Sequence, residues 1–134
     1  MKIPCRLFYG MVIVMITGCA RINDQRQFEN VFGFSWLSEV PIKETVQRTK
    51  GDPIFHATIS KEQANEIGRR SQSVGYERWR EMSHGETYGN DNFNIESRRE
   101  SPIIVSIKKN PAGHRFRLFF NQSNGDFYAV SFYN

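Results

Sequence analysis

Residues able to do chemistry are few in this chain of 134, and their spacing limits what they could do. The cysteines are Cys5 and Cys19, and the histidines are His56, His84 and His114. A serine nucleophile needs a base and a third group to orient that base, yet no G-x-S-x-G occurs and the histidines lie far apart in sequence. Zinc wants paired ligands such as H-x-x-x-H, which is missing, so neither a metal nor another cofactor is expected. The histidines read as solvent-exposed or loop residues. Glu81, Glu86 and Asp91 flank a Gly-rich loop, and two acids facing each other can cleave a glycan; charges around turns are, however, normally just solvated.

The remaining chemistry is basic. Over residues 98–117, Arg98, Arg99, Lys108, Lys109, Arg115 and Arg117 face only Glu100. Alternation along "RFRLFF" sets Arg115 and Arg117 beside Phe119, a basic and aromatic mixture of the kind enriched at protein interfaces. Arg98, Arg99, Arg115, Arg117 and Phe119 are therefore the expected partner-binding residues, against the plain alternative of an ordinary wet sheet face.

What brings such a domain to its partner is written at the start. Residues 7–20, "LFYGMVIVMITGCA", are apolar almost throughout but fall short of the ~20 residues needed to cross a bilayer. Lys2 and Arg6 precede the run and "RINDQRQ" follows it, the layout of a secretory signal. The exit, Ile16-Thr17-Gly18-Cys19, resembles the lipobox of bacterial lipoprotein precursors. That resemblance implies cleavage before Cys19 and diacylglyceryl transfer to its thiol, a reaction that needs the thiolate nucleophile, followed by acylation of the new amine. Several acyl chains hold a protein on its membrane far more firmly than one. Ala20, rather than Asp, after the cysteine implies an outer-membrane protein on the periplasmic side. The mature chain would then lack a free thiol and a disulfide, which closes the Cys–His route to wall hydrolysis, and its location argues against nucleic acid as a partner.

Loss of residues 1–18 removes Lys2 and Arg6 and leaves 116 residues with 16 basic and 14 acidic side chains, net charge +2. That length fits one domain with a modest core. The organisation reads as a signal over 1–18, a lipidated cysteine and polar tether over 19–30, and a single α+β domain over 31–134. Phe32, Phe34 and Trp36 open the domain as an aromatic cluster. Pro41 near a first turn, Ile42 and Val46 four apart, and Gly51 with Pro53 as a stop predict a helix over 41–50. Residues 54–59 are a strand or merely extended. Ser60 with Gln63 forms a capping box, and Glu62 and Glu66 precede Arg70 at helical spacing, predicting a second helix over 61–73. One strand and a loose loop are expected from Tyr76 onward. "IIVSIKK", "RFRLFF" and "DFYAVSFY" predict three strands, with Asn124-Gly125 as a hairpin turn. Phe116, Leu118 and Phe120 share the face that the two helices cover.

The order of helix, Gly-x-Pro and strands ending in an aromatic hairpin is similar to the SmpA/OmlA (BamE-like) outer-membrane lipoproteins. The matching pieces are "VQRTKGDP" (46–53) and "LFFNQSNGDFY" (118–128); the family's Gly-Met-Thr lead is replaced by Val40-Pro41, and residues 54–75 are additional. The resemblance implies a non-enzymatic accessory of outer-membrane assembly or integrity that binds another envelope protein. An inhibitor, immunity or exclusion lipoprotein of a phage, plasmid or toxin system fits the small size equally well, and a wall-modifying enzyme is the third class. The oligomeric state is left open. Cys19→Ala is expected to leave the precursor uncut and unacylated, which a mass spectrum of the membrane fraction reads directly; an intact Met1 or an unmodified Cys19 in the wild type contradicts the lipoprotein reading.

Overall fold

The computed structural model describes residues 24–47, 53–90, 93–110 and 112–133. The signal segment and Cys19 lie outside them. Two helices pack on one face of an antiparallel sheet, the architecture expected, but the first helix is not the expected one. Residues 24–32 are helical (α1). Phe28, Val31 and Phe32 recur at i, i+3 and i+4 on one face of it, and Gly33, at φ +85°, ends it with the left-handed backbone that glycine adopts without strain. The polar tether over 19–30 is thus corrected: Phe28 has no exposed surface, and the folded domain reaches back at least to Asp24.

The predicted helix over 41–50 is also corrected. Glu44–Gln47 is strand β1, paired antiparallel with β2 (Pro53–Thr58) from Glu44↔His56 to Gln47↔Pro53. A spacing of four residues is in phase with a strand's period of two as well as with a helix's turn, and the β-branched pair Thr45-Val46 favours the strand. The helix implied for 46–53 by the BamE-like resemblance is absent over 46–47, and 48–52 lie outside the described residues.

Helix α2, Lys61–Gln72, forms as its caps predict: Ser60 Oγ accepts from Gln63 N at 3.1 Å, and Gln63 Oε1 accepts from Ser60 N at 2.8 Å. Glu66 accepts from both Arg69 and Arg70, and Arg70 reaches on to the carbonyls of Ser35 and Trp36 at 3.1 and 3.2 Å. Beyond it, residues 76–79 lie outside any helix or strand and only Arg80–Glu81 are strand β3. The loose loop expected next instead holds a hairpin, β4 (Thr87–Asn90) and β5 (Phe93–Glu96). The C-terminal meander is as expected: β6 (Ile103–Lys109), β7 (His114–Asn121) and β8 (Asp126–Tyr133). The six-stranded sheet runs β1-β2-β8-β7-β6-β3, and β4-β5 form a separate pair. At the β7–β8 turn Gly125 has φ +82°, and a Cβ there would lie 2.7 Å from the Ile59 carbonyl oxygen.

The helix-side core centres on Phe28. Its ring lies 4.8 Å from Phe32 and from Trp36, 5.2 Å from Phe34 and 5.4 Å from Phe55 of β2. Phe116, Leu118 and Phe120 of β7 and Phe127 and Ala129 of β8 complete it. The end of α1 and the segment after it are held by polar bonds at this core. Tyr76 Oη donates to Phe32 O at 2.9 Å, Trp36 Nε1 donates to Val40 O at 2.8 Å, and Trp36 N donates to Glu29 Oε2 at 3.1 Å. Burial pushes the Tyr76 phenol well above its ordinary pKa. Phe28→Ala is expected to lower stability by about 3–5 kcal/mol, the usual cost of emptying a buried aromatic site, measured by urea unfolding. A loss under about 1 kcal/mol would return residue 28 to the tether.

Candidate functional site

Strand alternation divides the chemistry-bearing residues between two faces. Opposite the helices the sheet presents Ile54, His56 and Thr58 from β2, Asp126, Tyr128 and Val130 from β8, Arg115, Arg117, Phe119 and Asn121 from β7, and Ile103, Val105, Ile107 and Lys109 from β6, as the register requires. This face is not uniformly wet. The β4–β5 hairpin lies over its middle, where Ile95 joins Met82, Ile103, Val105, Phe119, Val130 and Ile54 in a second buried cluster.

The hairpin changes the standing of the sequence-predicted residues. Phe119 has no exposed surface and lies 5.6 Å, centroid to centroid, from Tyr88 of β4; it is a core residue and not an exposed anchor, because a hairpin the sequence did not announce covers it. Arg115 and Arg117 stand together near the start of β7, with Lys109 directly across from Arg115. Arg98 and Arg99 are exposed at the far end, in the tight turn closed by Arg98 and Ser101, which Asn121 at the end of β7 meets through Ser101. Arg115 and Asn121 are six positions apart on one strand, about 20 Å at strand rise. The expected basic set is therefore two groups. The aromatic cluster of Phe32, Phe34 and Trp36 is also core, at 1%, 6% and 3% exposure.

At the basic end a network spans hairpin and sheet. The Arg117 guanidinium lies over the Tyr88 ring, 4.5 Å from its centroid, a contact that suits its flat, weakly hydrated cation. Arg80 donates to Tyr88 Oη at 2.8 Å and to Glu86 Oε2 at 3.0 Å. Burial shifts the Arg117 pKa down and that of Tyr88 up. The hydrogen bond from Arg80, then that from the Ser83 amide, holds the Glu86 carboxyl down at about 2.

The opposite end is a groove of about 440 Å³ between β5 and the β7–β8 hairpin, lined by Asn94, Glu96, Asn121, Asp126 and Tyr128 over Ile95 and Ile103. At its edge His56 Nε2 and Asp126 Oδ1 are 3.1 Å apart, and the His56 ring stacks on Tyr128 at 4.5 Å with 7° between planes. His56 and His114 are thus half-buried strand residues; only His84 is an exposed loop residue as expected. His114 Nε2 is hydrogen-bonded to Ser131 Oγ, but Ser131 is 1% exposed, so the contact satisfies a buried hydroxyl and offers no reachable nucleophile. Glu81 and Glu86 do not converge: Glu86 is tied to Arg80, whose side chain alternation sends to the face opposite Glu81. Asp91 lies outside the described residues. Among the described residues no three His, Cys, Asp or Glu lie together as a metal site, and no helix is long and apolar enough to cross a membrane.

Sequence reasoning missed the groove because Glu96 and Asp126 are 30 positions apart and belong to different sheets; only the packing of the β4–β5 hairpin on the sheet face brings them together. Compared with known proteins, the chain matches no protein-family model, no curated protein and no solved structure. The class is the one defined by its own architecture, an α+β domain with a helix-covered sheet and a hairpin laid across the other face.

The depressed Glu86 carboxyl makes a pH prediction. A folded pKa near 2 against an ordinary value of 4.5 contributes stability that is present above about pH 4.5 and lost as pH falls toward 2. The Glu86→Gln variant is expected to melt below the wild type at pH 6 and to converge with it by pH 2, the gap narrowing in added salt because the pair is open to solvent. Melting temperatures that stay parallel over this range would remove the Arg80–Glu86 pair from the network.

Proposed function

We infer that this chain is a lipid-anchored bacterial envelope lipoprotein whose domain binds another envelope protein and catalyses no reaction. The observation that carries the reading is the Ile16-Thr17-Gly18-Cys19 motif at the exit of an apolar run introduced by Lys2 and Arg6. Acylation of Cys19 places the domain at a membrane, by Ala20 the outer one, on its periplasmic side.

Binding is supported by the basic end of the open sheet face. Lys109 and Arg115 are cross-strand neighbours with Arg117 one pleat further along, so three cationic side chains gather at one end of the face. A surface that keeps them is suited to a partner with an acidic patch, which such cations steer into place over a screening length of about 8 Å. The Arg117–Tyr88 pair adds a flat aromatic and guanidinium element of the kind that anchors interfaces. An accessory of assembly and an inhibitor or exclusion protein would use this surface alike; the accessory reading is preferred through the BamE-like resemblance of the final hairpin.

The test places a photo-crosslinking residue at Lys109, and separately at Glu62 on the exposed side of α2, in the full-length chain in its own envelope. One discrete protein adduct is expected from position 109, none from 62, and the adduct is expected to weaken with salt and vanish in Arg115→Glu while the melting temperature holds. An adduct from 62 alone, or one indifferent to the charge reversal, would place the interface elsewhere.

A further inference from the structure

We propose that the groove between β5 and the β7–β8 hairpin binds a short stretch of glycan carrying N-acetylated sugars. This inference does not depend on the lipid anchor or on the basic end of the face. Its floor is apolar and small: Ile95 and Ile103 are 9% and 3% exposed, enough for one methyl group and too little to hold an apolar peptide. Its walls are amides and carboxylates, groups that exchange hydrogen bonds with sugar hydroxyls and with an acetamido N–H and C=O. A volume of about 440 Å³ falls within the ordinary range of small-ligand sites.

The charge balance selects the ligand class. Glu96 lies 3.7 Å from the Arg98 guanidinium, and Asp126 lies 3.1 Å from His56. Glu96 is thus ion-paired with Arg98, and Asp126 Oδ1 is engaged by the His56 ring, so neither carboxylate is left to build a cation site, while the two carboxylates disfavour phosphate or another anion. The walls are also held in place before any ligand arrives. Asn121 donates to Ser101 Oγ at 2.7 Å and accepts from Ser123 N at 2.9 Å, Asp126 N donates to Asn124 Oδ1 at 2.9 Å, and Tyr128 is stacked on His56. Groups fixed in this way lose little entropy on binding. Asn94, exposed at the rim, and Glu96 are the groups placed to grip the sugar directly.

The experiment uses the full-length chain in detergent micelles, titrated with the β-1,4-linked tetramer of N-acetylglucosamine and followed by amide NMR and calorimetry. Binding in the millimolar range, of order 4 kcal/mol, is expected, with shifts centred on Asn94, Glu96, Asn121 and Asp126. Asn94→Ala and Glu96→Gln are each expected to weaken it by about tenfold, the loss of one good hydrogen bond, without moving the melting temperature, while Lys109→Ala leaves it unchanged. The unacetylated glucose tetramer is expected to bind more weakly. Absence of shifts up to about 10 mM, shifts elsewhere, equal binding by the variants, or groove shifts produced by calcium or spermidine and not by the sugar would each overturn the proposal. None of these outcomes bears on whether Cys19 is acylated or whether position 109 meets a protein.

Discussion

The burial of Phe28 is the interaction on which the rest of the structure depends. Four aromatic rings surround it, from α1, from the segment just after α1 and from β2, and each such contact adds roughly 0.5–1.5 kcal/mol beyond the apolar area it removes from water. A helix of nine described residues would be marginal alone in water; docked through Phe28 and Phe32 it becomes one wall of the core. The loop that follows must turn back immediately to supply Phe34 and Trp36; Tyr76 meets the last carbonyl of α1, and Glu29 and Arg70 answer the loop's own polar groups. One consequence reaches the membrane. Only five residues take the chain from Cys19 to Asp24, a span of at most about 18 Å, so under the lipoprotein reading the domain is held close to the lipid surface.

The opposite face of the sheet is governed by the β4–β5 hairpin. By burying Phe119, Val105 and Val130, it leaves two open regions of different character on one surface, a cationic end around Lys109, Arg115 and Arg117 and a polar groove beside Asp126. The same strands that carry the core thus separate two chemistries by the length of β7. Neither region calls for movement of the sheet, since both are framed by paired strands and by Arg80 and Asn121, whose hydrogen bonds link different elements.

Much of the fold was legible where local signals agreed. The capping box at Ser60 and Gln63, the alternation in "RFRLFF" and the Asn-Gly turn each specify an element from within a few residues, and each formed. The errors lie where the deciding partner is distant. Ile42 and Val46 fit a helix and a strand alike, and only the presence of β2 alongside decides. The α1 signal was in the sequence, with Phe28, Val31 and Phe32 running into Gly33, but a boundary drawn at Asn30 cuts that pattern in half and leaves a polar remnant. Phe119 looked exposed because alternation assigns a face without saying what covers it. Of the candidate site, the basic residues were legible as a composition and not as a place: pairing sets Arg115 and Arg117 with Lys109 and sends Arg98 and Arg99 to the far end. The groove was not legible at all, because its two carboxylates come from strands of different sheets that meet only where the hairpin packs on the sheet face.

The most direct measurement compares two chains, one beginning at Ala20 and one at Val31, by circular dichroism during urea unfolding. If α1 is structural, the longer chain unfolds in a single cooperative transition and the shorter one loses that transition or moves its midpoint far toward zero urea. Coincident midpoints and slopes for the two chains would show that residues 24–30 are a dispensable tether and that the aromatic core does not depend on Phe28.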